Sequence, residues 1–279
     1  LALNNTGLCA LRLGQLDEGR RALHQALALY EELGETYHLA LAHHDLGLSH
    51  ELAGDLAGSV DHYRAALVRW QELGSLSPWA NTLNSLGVVH YLRGECDQAR
   101  VVLNEALLKA QRAGDLRIQA YALASLGDLH RDLGAYELAR GAFAQALETA
   151  RRAHLGFIIP YALDGLGSTA RLQGNRPEAA KRLHQALEYA EQHDSTHEAA
   201  TCHISLGILA NETSDPETAR AHLDRAIEML ADSGLQQPLA RVHIALRNRT
   251  TEYRINRVDK DTPILFHPCQ YFPIKMHPE

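Results

Sequence analysis

The chain has 279 residues, of which 46% are hydrophobic but only 6% aromatic, so alanine and leucine supply most of the apolar surface. This composition favours closely packed helices, because both residues are strong helix formers. A formal net charge of −7 argues against the chain binding a nucleic-acid backbone by itself, and the lack of an apolar run of about 18 residues excludes a membrane-spanning helix.

The sequence repeats itself at a spacing of 40 residues from its first helix onward. The clearest unit is residues 81–114, which predicts a helix, a turn at Arg93-Gly94-Glu95 and a second helix. Two columns of residues mark every unit: Gly7, Gly47, Gly87, Gly127, Gly167 and Gly207, and Ala26, Ala66, Ala106, Ala146, Ala186 and Ala226. A glycine inside a helix costs about 1 kcal/mol relative to alanine. Its presence in each unit therefore predicts a neighbouring helix packed against bare backbone.

The turn inside each unit carries Gly14, Gly54, Gly94, Gly134 or Gly174, with Ser214 in the sixth unit. Glycine here predicts a left-handed residue that ends the first helix. The second helix then begins at a cap or a proline, as at Asp215-Pro216 and, similarly, Pro177. A second break closes most units, but the fourth has His154-Leu155-Gly156 instead, which predicts a junction that differs by a residue or two.

The periodicity ends early in the seventh unit, where Arg247 stands in place of the glycine. Residues 247–279 show no helical period, and their prolines exclude a long helix. Three interpretations remain open: a disordered or loosely packed tail, a cap over the last helix pair, or a segment foreign to the native protein. We therefore predict a repeat array over residues 1–246 and an irregular tail or cap over residues 247–279. Because the sequence starts inside a repeat, we also expect it to be a piece of a longer protein.

The columns resemble the tetratricopeptide repeat (TPR), which the third unit matches with Leu83, Leu86-Gly87, His90, Ala99, Leu103 and Ala106. The resemblance covers about residues 1–246 and implies an all-α fold, a right-handed superhelical solenoid of antiparallel helix pairs with six repeats and a partial seventh. The unit is six residues longer than the usual 34, so both helices are expected to have about 16–18 residues. Units of this length are similar to those in the sensor arms of large bacterial LuxR-type and signal-transduction ATPase transcriptional regulators, and they also occur in eukaryotic scaffolds.

No phosphate-binding loop and no hydrolase or zinc-protease motif is present, so we predict neither an enzyme nor a cofactor. Many of the 17 histidines occupy repeat positions, which indicates helix packing; they include His43, His50, His90, His130, His203 and His243. His193 and His197 have the spacing of a metal-binding pair but flank a polar break, so no metal site is predicted. No pair of carboxylates in an apolar context stands out.

In the TPR family the first helix of each pair lines a concave face. Positions −10, −6, −3, +1 and +4 from the helix glycine share that face and, in the middle units, combine aromatic side chains with arginine and aspartate. The predicted binding groove consists of Asn84, Tyr91, Arg117, Tyr121, Asp128, Arg131, Phe157, Tyr161, Asp164, Ser168 and Arg171.

Aromatic residues and arginine are enriched at recognition surfaces. The same aromatic residues also pack between adjacent first helices in TPR proteins, so recognition and packing both stay open. One repeat position carries Asn4, His44, Asn84 and Asp164. By resemblance to asparagines in other TPR grooves, this column implies a polar ladder for a peptide backbone.

The function predicted from the sequence is a binding module, namely the ligand- or partner-sensing arm of a bacterial transcriptional or signalling regulator. The alternative is a constitutive scaffold that holds a peptide or protein in the concave groove. Expected partners are a protein or peptide, or a small-molecule effector, without direct nucleic-acid or membrane contact. The four cysteines are far apart and form no C-x-x-C motif, which favours reduced thiols and a cytoplasmic location.

Overall fold

A computed structural model describes residues 1–230, which form twelve α-helices and no strand. The helices are α1 Ala2–Arg12, α2 Leu16–Leu33, α3 Thr36–Leu52, α4 Leu56–Leu73, α5 Leu76–Leu92, α6 Cys96–Ala113, α7 Leu116–Asp132, α8 Tyr136–Arg152, α9 Ile158–Leu172, α10 Arg176–Gln192, α11 Thr196–Glu212 and α12 Pro216–Leu230. Short turns join them into pairs, which confirms the prediction of an all-α repeat fold. The partial seventh repeat and residues 247–279 lie outside the described residues.

The chain divides into two compact units between Tyr121 and Ala122, within α7. Unit 1 contains α1 to α6 and the first part of α7, and unit 2 contains the rest of α7 and α8 to α12. In the part of the chain that the structure describes, no helix is both long and apolar enough to cross a membrane.

The glycine inside each first helix lies against a large side chain of the second helix. A Cβ atom added to Gly47 would lie 2.6 Å from the ring of Tyr63, and one added to Gly127 would lie 2.8 Å from the ring of Phe143. Both rings are fully buried. The predicted packing against bare backbone is therefore confirmed, and it explains why alanine, the better helix former, is absent there.

Turn glycines and side-chain caps set the helix ends, as the sequence predicts. Gly94 between α5 and α6 has a φ of 75°, and Ser214 takes the same left-handed conformation with a φ of 61°. The Asp215 carboxylate accepts a hydrogen bond from the backbone N–H of Thr218 at 3.1 Å and caps α12.

The junction after α8 differs from the others, as expected. Residues 153–157 separate α8 from α9, whereas residues 114–115 alone separate α6 from α7, and His154 has a φ of 52°. As a consequence, Phe157 immediately precedes α9 instead of lying in its first turn.

The largest rings of the unit 1 core have their polar ends satisfied inside the protein. The Trp70 indole N–H donates to Thr82 Oγ1 at 3.1 Å, and the Tyr63 hydroxyl donates to Glu51 Oε2 at 2.8 Å. A buried aromatic residue with a polar tip needs such a partner. These bonds bring polar groups of the first helices into the core.

Candidate functional site

A polar cluster in unit 2 joins the end of α7 to the start of α9. Arg131 Nη1 lies 2.8 Å from Asp128 Oδ1, and the Tyr161 hydroxyl donates a hydrogen bond to Asp128 Oδ2. Arg131 Nε also donates to Asp132 Oδ1 at 3.1 Å. Asp128 is buried, while Arg131 and Tyr161 are partly exposed. The aspartate therefore holds two partly exposed side chains in defined positions.

Burial raises the pKa of Asp128 to about 6, while the Arg131 charge and the Tyr161 hydrogen bond oppose the shift. The sequence shows no pair of carboxylates in an apolar context and does not single out Asp128 as a group with a shifted pKa. Tyr161 of α9 contacts the Asp128 carboxylate of α7. Periodicity along one helix does not reveal which residues a neighbouring helix covers.

Further along α9, three polar side chains lie about one turn apart and remain partly exposed: Asp164, Ser168 and Arg171. Ser168 Oγ donates a weak hydrogen bond to Asp164 Oδ2 at 3.4 Å. Arg171 forms an ion pair with Glu212 at the end of α11. Arg176 Nη2 donates to the backbone oxygen of Glu212 at 3.2 Å. Arg171 thus ties α9 to the end of α11.

In unit 1 the predicted groove residues differ in accessibility. Asn84 is fully buried, and Tyr121 is only 2% exposed, which favours the packing interpretation for these two. Tyr91 and Arg117 are partly exposed. The Arg117 guanidinium lies 5.9 Å from the centre of the Tyr121 ring, within range of a cation–π interaction. The groove as a whole stays a prediction.

The polar column behind the predicted ladder is largely internal in unit 1. Asn4 Nδ2 donates to Asp45 Oδ2 at 2.7 Å, and His44 Nδ1 lies 3.0 Å from Thr82 Oγ1. Asn4 and His44 are buried. These side chains hydrogen-bond between first helices of adjacent repeats, so the column already has partners within the protein.

Residues 1–230 hold no group of three or more His, Cys, Asp or Glu side chains that can bind a metal ion. His193 follows the end of α10, and its Nδ1 lies 2.8 Å from the backbone oxygen of Tyr189. His197 belongs to α11, so the two histidines do not share a helix.

Two histidine contacts were missed at the sequence level. His43 Nδ1 lies 3.1 Å from His62 Nδ1, and His203 Nδ1 lies 2.8 Å from His222 Nδ1. The repeat positions of His43 and His203 predict helix packing without identifying a partner. The signal was present, because both pairs have the same separation in sequence and occupy the same two repeat positions.

A separate cleft of about 680 Å³ lies between α8, α9 and α10 in unit 2. None of the predicted groove residues lines it. Its apolar floor consists of Ala144, Leu147, Leu166 and Ala170, and pairs of charged residues on α8 and α10 form its rim. At the positions equivalent to Ala144 and Ala170, repeats 1 and 2 carry His24 and His50.

A tetratricopeptide repeat family model matches residues 1–72, 78–152 and 159–232. The chain belongs to the tetratricopeptide repeat family. The match covers most of the sequence and agrees with the helix pairs and glycine columns described above. No match was found among curated proteins.

Several solved structures are similar to this chain in fold. BtubC (BKLC) from P. vanneervenii is 19% identical, with a TM-score of 0.64 over 87% of this chain and 96% of that chain. A Rap protein complexed with Competence and Sporulation Factor is 18% identical, with a TM-score of 0.66 over 81% of this chain and 66% of that chain. NprR in complex with its cognate peptide NprX is 16% identical, with a TM-score of 0.63 over 86% of this chain and 68% of that chain.

Proposed function

We propose that this TPR chain is a protein-interaction module that binds a peptide segment along the first helices of its repeats, and that it acts by binding without catalysis. One observation carries the proposal. The first helix of repeat 5, α9, and the end of α7 present Arg131, Tyr161, Ser168 and Arg171 partly exposed. A surface of aromatic residues and arginine is typical of protein recognition.

The hydrogen bonds of Asp128 support this proposal. Because Arg131 and Tyr161 are already held by this carboxylate, little side-chain entropy is lost when a ligand binds them. Such preorganisation increases affinity. The complexes of a Rap protein with its factor and of NprR with its peptide are structures of the same fold with bound ligands, and they motivate the choice of a peptide as the ligand class.

In the finer form of the proposal, the chain is the sensing arm of a bacterial transcriptional or signalling regulator in the cytoplasm. The Arg171–Glu212 ion pair links α9 to α11. A ligand carboxylate that takes the place of Glu212 at Arg171 removes that link and shifts the population of conformations. In unit 1, Tyr91 and Arg117 are partly exposed and are proposed as ligand contacts there.

A peptide selection tests the binding function. A pool of random fluorescein-labelled heptapeptides is passed over the immobilised chain, and the retained peptides are measured individually by fluorescence polarisation. Arg131→Ala and Arg171→Ala are each expected to weaken binding about tenfold, which is about 1.4 kcal/mol. The matched control is Arg140→Ala, which removes an exposed arginine that pairs with Glu137 on the same helix, α8. Retention of no peptide, or equal losses in all three variants, contradicts the proposal.

Amide hydrogen exchange separates a sensor from a constitutive scaffold. With a selected peptide bound, a sensor is expected to change exchange in α11, beyond the contacted residues of α7 and α9. A scaffold shows protection at the contact residues alone. In the full-length protein, an attached nucleotide-binding or helix-turn-helix module supports the regulator, and the lack of both contradicts it.

A further inference from the structure

Two histidine pairs occupy the same place in repeats 2 and 6. His43 of α3 faces His62 of α4 within unit 1, with Nδ1 atoms 3.1 Å apart. His203 of α11 faces His222 of α12 within unit 2, with Nδ1 atoms 2.8 Å apart. In each case one histidine belongs to the first helix of the pair and the other to the second helix. Each contact therefore joins the two helices of one repeat.

The rings of each pair meet head-on. The ring centres are 5.4 Å apart in the first pair and 5.1 Å apart in the second. In both pairs the distance between ring centres exceeds the distance between the Nδ1 atoms by the same amount, which is close to the diameter of one imidazole ring. The two nitrogens thus lie on the line between the ring centres, as in an N–H···N hydrogen bond.

This geometry decides between a proton and a metal ion. A metal on that line would lie at half of 3.1 Å from each nitrogen, well short of the roughly 2.0 Å that a metal–imidazole bond requires. One proton fits, because the neutral imidazole that carries its hydrogen on Nδ1 donates to the other, which carries its hydrogen on Nε2. A second proton between the rings would place two N–H groups against each other.

The charges around each pair oppose a second proton. Burial and the charges of Arg69, His62 and His24 lower the pKa of His43 to about 4. Burial and the charges of His50 and His24 lower the pKa of His62 to about 4, partly offset by Asp61 and Asp55.

The second pair has fewer charged neighbours but the same tendency. Burial, His222 and Arg225 lower the pKa of His203 to about 4. Burial and His184 of α10 lower the pKa of His222. A folded-state pKa below the ordinary value of 6.5 means that the stabilising contribution is complete above pH 6.5 and is lost as pH falls toward about 4.

We infer that each histidine pair is a one-proton lock, meaning that a single hydrogen between the two rings holds the first and second helix of the repeat together. Acidification then separates the two helices in repeats 2 and 6, while those of repeat 3 stay packed. Repeat 3 has Leu83 and Val102 at the corresponding positions. Its helix pair therefore has no titratable contact at this place. The device makes the stability of two particular repeats depend on pH.

The chain supplies its own control, because Leu and Val already fill this position in repeat 3. The double substitution His43→Leu with His62→Val copies that solution into repeat 2. Removing both partners of a hydrogen bond and replacing them with apolar groups leaves no buried polar atom unsatisfied. His203→Leu with His222→Val does the same in repeat 6 and tests the inference independently if the first variant folds poorly.

The first measurement is the tautomer of each histidine, read from long-range 1H–15N correlation spectra of the labelled chain at about pH 7.5. We expect one histidine of each pair to carry hydrogen on Nδ1 and the other on Nε2. Identical tautomers within a pair, or titration of both members near pH 6.5, would overturn the inference.

The second measurement is amide hydrogen exchange between about pH 7.5 and 4.5, expressed as protection factors so that the intrinsic effect of pH cancels. Protection is expected to fall about tenfold or more in α3–α4 and α11–α12 and to persist in α5–α6. In the His43→Leu, His62→Val variant, α3–α4 should keep its protection while α11–α12 still loses it. Two results contradict the inference: an equal loss of protection in all helices, or a loss of protection in α3–α4 that is the same in the variant and the wild type.

Discussion

The first helices of repeats 3 and 5 have the same glycine and the same leucine partner, yet they expose different amounts of surface. In α5 every residue from 82 to 90 is buried. In α9 the equivalent residues 162 to 170 leave Asp164, Leu166 and Ser168 partly exposed. The residues that recur every 40 positions therefore determine how the two helices of a repeat pack together. The residues between the columns determine whether the first helix keeps a surface that a ligand can reach.

If the columns act alike in both repeats, the same core substitution should have the same effect in each. Leu103 is 1% exposed and Leu183 is 0% exposed. Leu103→Ala and Leu183→Ala are each expected to lower the free energy of unfolding by about 2–5 kcal/mol, because each leaves a cavity. Urea denaturation measures both. A difference of more than about 2 kcal/mol would show that the exposed face of repeat 5 loosens its core.

Adding a methyl group at the helix glycines tests the same equivalence from the other side. A Cβ at Gly87 would lie 2.7 Å from Leu103, and one at Gly167 would lie 2.7 Å from Leu183. Gly87→Ala and Gly167→Ala should each destabilise by about 1–3 kcal/mol through overpacking. Thermal unfolding monitored by circular dichroism reports the change. If Gly87→Ala lowers the stability and Gly167→Ala leaves it unchanged, the two repeats are not packed in the same way.

Asp128 replaces the buried valine that repeat 3 has at the same position, Val88, and it should make unit 2 sensitive to pH. Its folded pKa is raised from 3.8 to about 6, so the folded state binds more protons between these values. Its stabilising contribution is therefore largest below pH 3.8 and falls as pH rises through about 6, by ~2–3 kcal/mol. The melting temperature of the wild type relative to Asp128→Asn should decrease from about pH 5 to 7. A constant difference would mean that Asp128 titrates normally.

The smallest expected effect concerns the turns. Ser214 has a φ of 61°, and Gly174 has a φ of 79° at the same place in repeat 5. Ser214→Gly should stabilise the chain by about 0.5–1 kcal/mol, and Gly174→Ser should destabilise it by a similar amount, because a side chain is strained in the left-handed region. Denaturation midpoints of the reciprocal variants test this. Changes of the same sign would mean that the two turns are not equivalent.

The sequence predicts the helices, their lengths and their turns well, because those depend on neighbours along the chain. The positive φ at Gly94 and the cap at Asp215 follow from residue type alone. The longer junction around His154 was predicted for the same reason.

The burial pattern of the candidate site was harder to predict because it depends on distances between helices. Asn84 and Asp128 share a predicted face with Tyr91 and Arg131, yet adjacent helices cover the first two and leave the others partly exposed. The His43–His62 contact joins two helices across a turn, and hydrophobic periodicity along one helix does not report such a contact.

The 40-residue period also bears on how such a chain changes length over generations. Side chains 40 residues apart occupy equivalent positions, and in a repeat array each unit contacts mainly its neighbours. Recombination can remove or duplicate 40 residues from any starting point in a unit. The two ends that are then joined belong to equivalent positions of the same helix in two repeats. Glycine then still meets leucine or an aromatic ring. A gene of this kind can alter the number of its repeats in single steps, while point mutations between the columns alter the surface that each repeat presents.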